Sequence, residues 1–149
     1  MKLYLIPIFT LTFIVSVGQV QTKYIKPIET DPNYASDQDS SAVSRNSSTQ
    51  QNKLFLFLGG TGSSSSTEYN PLRLFSANLG FDFINLCYPN DTAAAVLAND
   101  PDSLAFDKYR QEIVYGTPVS DTVSVDSLNS IYTRTLKLLQ YLDATYPSE

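Results

Sequence analysis

Apolar and polar positions follow one another along this chain in blocks, and each block has its own rhythm. Leu3 to Val17 is almost uninterruptedly apolar, while Thr22 to Asn52 is rich in Ser, Asp, Gln and Asn and poor in large apolar groups. From Lys53 the pattern becomes regular. Leu54-Phe55-Leu56-Phe57-Leu58 is a continuous apolar run, as expected of a strand buried on both faces. A Gly/Ser stretch follows, and then Asn70-Pro71, a side-chain cap with proline at the first helical position, which predicts a helix start. Leu72, Phe75 and Leu79 fall on one face of that helix, and Gly80 closes it where a left-handed residue is wanted. Phe81 to Leu86 predicts a second strand, ended by turn chemistry at Tyr88-Pro89-Asn90-Asp91.

Two more helices are predicted, with no further strand between them. One runs from Ser103 to about Tyr115, carries Leu104, Tyr109 and Ile113, and ends at Gly116. The other is capped by Asp126 and runs to about Thr145, with Leu128, Ile131, Leu138, Leu139 and Leu142 as its stripe and Pro147 as its stop. The strand–loop–helix–strand order has a connection long enough for a parallel crossover, so the expected class is an α/β layered fold. Two strands buried on both faces need neighbours, and sheets usually have about five strands. The expectation is therefore the front part of a longer protein, with homo-association completing the sheet as the alternative.

Met1 to about Gln21 reads as a secretory signal, with Lys2 as its positive end and Ser16 and Gly18 as small residues before a cleavage point. The apolar run is shorter than the roughly 20 residues needed to span a bilayer, and no basic cluster follows it; an uncleaved anchor is the alternative. Residues 22–52 read as a disordered linker, because they bury too little apolar surface to offset their ordering entropy. That leaves 53–149 as the ordered part. Asn46-Ser47-Ser48 and Asn90-Asp91-Thr92 are N-glycosylation sequons, meaningful in the secretory route that the leader implies.

The formal net charge is −5 with no basic cluster, which argues against nucleic acid as a partner. The single cysteine, Cys87, can form no intrachain disulfide and reads as a small buried apolar residue. There is no histidine, which removes most hydrolytic and zinc chemistry from these residues, and no metal or cofactor is expected.

The stretch after the first strand, Gly59-Gly60-Thr61-Gly62-Ser63-Ser64-Ser65-Ser66, admits three readings. A dinucleotide fingerprint is approached by Gly60-Thr61-Gly62, but Ser65 replaces the third glycine and the helix starts too late, at Asn70. A nucleotide-phosphate loop needs a lysine, and none occurs between Lys53 and Lys108. The remaining reading is an oxyanion loop, in which a glycine-rich turn lets a backbone N–H point at a developing negative charge.

Residues 53–147 resemble the start of a family of secreted or periplasmic α/β-hydrolase-like proteins. The resemblance rests on Leu58-Gly59-Gly60-Thr61-Gly62, Asn78-Leu79-Gly80-Phe81 and Leu86-Cys87-Tyr88-Pro89-Asn90, in that order and spacing. Val125 to Ile131, Arg134, Leu138 to Leu142 and Tyr146-Pro147 are similar to the family's following helix.

The resemblance implies a three-layer α/β-hydrolase-like fold, of which two parallel strands and about three helices are expected here. It also implies a parent that hydrolyses a small-molecule ester or amide through a serine, using a Gly-x-Ser-x-Gly elbow, an acid and a histidine. These residues contain neither that elbow nor a histidine, so no catalytic residue is assigned and the chain by itself is expected to be inactive. Ser63 to Ser66 then read as loop filler. What remains is half of an oxyanion hole, with the backbone N–H groups of Gly60, Thr61 and Gly62 as candidate donors and Thr61 first among them; a tight turn without a catalytic role is the alternative. A secreted, non-catalytic binding module that pairs through its apolar helix faces is a second class of function, and a nucleotide-binding oxidoreductase a third. The expected location is extracellular, without stable membrane association once the leader is removed.

Overall fold

The computed structural model describes residues 18–34 and 39–147, so the apolar stretch of the expected leader lies outside the described residues. In chain order the elements are β1 (Gln21–Ile25), α1 (Pro27–Thr30), β2 (Ser41–Arg45), β3 (Lys53–Leu58), α2 (Asn70–Asn78), β4 (Phe81–Leu86), a 3-10 turn (Ala94–Asn99), α3 (Ala105–Tyr115) and α4 (Ile131–Thr145). The strands form one mixed sheet in the order β1-β2-β4-β3. β3 and β4 are the expected parallel pair, in register from Lys53 opposite Phe81 to Leu58 opposite Leu86. β2 runs antiparallel to both of its neighbours.

Contrary to the expectation of a disordered linker over 22–52, this segment supplies nearly all of β1, and α1 and β2, so two of the four strands among the described residues come from it. Its polar residues are consumed by the fold. Ser41 Oγ accepts the Cys87 N–H at 3.0 Å, and Ser44 and Thr22 share a hydroxyl–hydroxyl bond of 2.8 Å across the ladder. Ser41, Ala42 and Ser44 are all buried. Small hydroxyl residues that satisfy one another carry no apolar signal, yet they let strands approach closely.

The sheet separates two apolar layers. On one face Phe55 packs edge-on against Phe83 at 5.3 Å and Phe57 stacks near it at 6.2 Å, beneath α2. On the other, Ile84 and Leu86 of β4 join Ile25 and Leu138 of α4, with Val43 and Leu56 beside them. A second small cluster (Leu97, Tyr109, Ile113, Val125) seats α3 against the segment that precedes α4.

Two helices differ from their expected faces and starts. In α2 the buried residues are Arg73, Ser76 and Ala77, while Phe75 and Leu79 of the expected stripe are 63 % and 48 % exposed. Small side chains let the helix lie close to β4 and β2, and that closeness outweighs the larger apolar residues. α4 begins at Ile131, not at Asp126, because Ser130 Oγ accepts the Thr133 N–H at 3.2 Å as the true cap. Asp126 instead closes the preceding turn by accepting the Asn129 N–H at 2.8 Å. Gly80 ends α2 at φ +92, where a Cβ would collide with the Thr49 carbonyl.

Among the described residues β3 pairs on one side only. It is an apolar edge strand, with Leu54 and Leu58 substantially exposed, and its one charged residue is Lys53 at its first position.

Candidate functional site

The glycine loop leaves the C-terminal end of β3 and returns at Asn70, ten residues beyond Gly60, so no helix opens within it. The loop is tied down from three sides. Asn90, at the end of β4, donates its side-chain amide to the Gly60 carbonyl at 2.8 Å and to the Ser63 carbonyl at 3.3 Å. Tyr88 donates its hydroxyl to the Gly59 carbonyl at 2.5 Å. From beneath, the buried Asn85 donates to the Ser65 carbonyl at 2.9 Å.

A fourth tie was not legible in the sequence. Asp39, just before β2, accepts from Ser64 Oγ at 2.5 Å and from the Ser66 N–H at 2.8 Å, and also holds the Ser40 N–H at 2.8 Å. Burial disfavours its charge, but the hydrogen bonds from Ser64 and Ser66 outweigh that and hold the carboxyl down to about 2. Ser65 Oγ donates to the Ser40 carbonyl at 3.0 Å. Ser64 to Ser66 are therefore structural partners of a carboxylate. The sequence pattern could not reveal this, because Asp39 sits in the polar segment whose composition hides its strands.

The three candidate donors differ in circumstance. The Gly62 N–H is already committed, donating to the Asn90 carbonyl at 3.0 Å. The Gly60 and Thr61 N–H groups have no hydrogen-bond partner among the described residues, and both residues are exposed. Gly62 lines a cavity of about 330 Å³ with Asp39, Cys87, Tyr88, Asn90 and Asp91, whereas Gly60 and Thr61 do not. Tyr69, at the foot of α2, stands beside Gly59 and Gly60 instead.

Cys87 lies at the inner wall of the cavity, 7 % exposed, and burial pushes its thiol up, the inert state expected for it. Behind it the buried Arg134 donates to the Cys87 carbonyl at 3.2 Å and to Asn129 Oδ1 at 2.6 Å, and lies 4.8 Å over the Tyr34 ring. This guanidinium braces the end of β4 against α4. Its burial pulls its pKa down.

Both sequon asparagines are engaged. Asn46 is buried, and its side-chain amide donates to the Gly18 carbonyl at 3.2 Å and to Asn78 Oδ1 at 3.1 Å; Asn90 clamps the loop as described. Among the described residues no group of His, Cys, Asp and Glu could hold a metal ion, and no helix is long and apolar enough to cross a membrane. No protein-family model, curated protein or solved structure matches the chain.

Proposed function

We propose that this chain is the N-terminal portion of a secreted α/β-hydrolase-like protein, and that its glycine loop carries oxyanion donors for hydrolysis of a small-molecule ester or amide. The observation that carries the reading is the state of the loop. Its serines, its carbonyls and the Gly62 N–H are tied to the scaffold, while the Gly60 and Thr61 N–H groups are left without partners among the described residues. A donor held rigid and unpaired is what an oxyanion site requires.

Two features of the sheet support it. The loop follows the third strand and leads to a helix, the place from which an α/β-hydrolase supplies an oxyanion N–H. The sheet order β1-β2-β4-β3, with β2 alone reversed, leaves β3 at an edge among the described residues. The apolar free edge of β3 is then where a further strand, leading to the nucleophile, would pair. With no histidine and no Gly-x-Ser-x-Gly in its 149 residues, the chain alone supplies no nucleophile–base pair.

The test is the transcript sequence downstream of the Glu149 codon. An in-frame strand followed by Gly-x-Ser-x-Gly supports the proposal, and a stop codon there sinks it. A second reading, a secreted binding module, is favoured by the exposed apolar residues Phe75, Leu79, Tyr132 and Leu136 on α2 and α4. Size-exclusion chromatography separates the two: a stable folded monomer or a defined complex favours the module, aggregation the incomplete sheet.

A further inference from the structure

We propose that the Tyr69 hydroxyl is a third donor of the loop, a side-chain group that acts beside the Gly60 and Thr61 N–H groups on one bound oxyanion; this rests on the oxyanion reading above.

The Tyr69 oxygen lies 4.0 Å from where a Cβ on Gly60 would stand, and the ring edge 3.6 Å from the corresponding point on Gly59. The phenol thus stands beside the two residues at which the loop leaves β3. It is held there, because its ring packs edge-on against Phe57 with centroids 4.7 Å apart.

The hydroxyls of Tyr24, Tyr34, Tyr88 and Tyr109 each engage a hydrogen-bond partner. The Tyr69 hydroxyl has none among the described residues, and neither do the N–H groups of Gly60 and Thr61. The Tyr69 hydroxyl stands beside Gly60, and Thr61 follows Gly60 in the chain. The carboxylates of Asp39 and Asp91 line the cavity on the Cys87 side of the loop, a cavity that Gly60, Thr61 and Tyr69 do not line.

Tyr69 is in the left-handed region at φ 61 and ψ 22, a conformation that glycine or asparagine adopts with less strain. Strain of this kind is retained where a side chain must be aimed. Here it aims an aromatic hydroxyl at a glycine.

The experiment is a titration of the isotope-labelled chain with methylphosphonate, followed by NMR, for the natural protein and for Tyr69→Phe. The variant keeps the ring on Phe57 and removes only the hydroxyl. The expected result is saturable shifts at the Gly60 and Thr61 amides in both proteins, with affinity about tenfold weaker in Tyr69→Phe, as for loss of one hydrogen bond to a charged group. Equal affinities, with Gly60 and Thr61 still responding, overturn the role of Tyr69 and leave the oxyanion loop standing. No response at either amide in either protein overturns both.

Discussion

Gly62 and Asn90 are joined backbone to backbone, the Gly62 N–H donating to the Asn90 carbonyl at 3.0 Å, while the Asn90 side chain reaches the same loop at the Gly60 and Ser63 carbonyls. The end of β4 thereby sets the shape of the loop after β3. Asn90→Ala removes the side-chain half of this tie, with an expected loss of about 1–2 kcal/mol, the usual net worth of one or two hydrogen bonds. Urea denaturation measures it, and faster hydrogen exchange at the Gly62 amide shows that the loop is what loosened.

The same contacts decide the fate of the sequons. A glycan on Asn46 would have to replace bonds to Gly18 and Asn78 inside the fold, and one on Asn90 would break the loop clamp. The folded protein secreted from a glycosylating host is expected to carry no N-glycan at either position. Its intact mass should be unchanged by a glycan-removing amidase.

Asp39 makes the loop sensitive to acid. Its carboxyl is held at about 2 in the folded chain, against an ordinary value of 3.8. A depressed pKa contributes stability that is present in full above the unfolded value and is lost as pH falls through the folded one. The contribution of Asp39 should therefore fade between roughly pH 4 and pH 2. Asp31 and Asp102 are also held below their ordinary value and add to the same slope. The diagnostic measurement is thus the difference between natural protein and Asp39→Asn, which should be largest near neutrality and shrink towards pH 2.

Glu112 of α3 is buried, and its carboxylate accepts the N–H groups of Val119 and Ser120 at 2.9 and 2.8 Å and of Val125 at 3.1 Å. It organises the irregular connection between α3 and α4. Glu112→Ala leaves three donors without their acceptor, and the expected cost is about 3 kcal/mol or more, the range for charged hydrogen bonds lost in the interior. A shift in the chemical-denaturation midpoint with an unchanged slope checks it.

The edge of β3 predicts solution behaviour. A single charge on an exposed apolar edge suppresses strand-to-strand association. Leu54 is 47 % exposed, so Leu54→Lys should reduce concentration-dependent association, read by light scattering, while changing unfolding stability by less than about 1 kcal/mol.

Local patterning was enough for the elements that are apolar and continuous. The run Leu54 to Leu58, Gly80 and the strand Phe81 to Leu86 all appear where the residues place them, because each is set by neighbours within a few positions. α2 does start at Asn70-Pro71, but its cap position is Tyr69 and Asn70 does not cap it, its side chain accepting from Arg73 instead. The same signal misjudged which face of α2 is buried, since periodicity reports where large apolar residues lie and not where small ones permit close contact.

By itself, then, the sequence determined the parallel β3–α2–β4 unit, the late helix after the glycine loop, and the lack of a histidine. Only the tertiary structure decided that 22–52 contributes strands, that Asp39 and Asn90 clamp the loop, and that Gly60 and Thr61 rather than Gly62 keep donors unpaired among the described residues. The physical reason is range. Asp39 meets Ser64 and Ser66 across 25 and 27 positions, and Ser41 meets Cys87 across 46. Hydrogen bonds of that span leave no period in a polar segment and exist only once the sheet has brought its ends together.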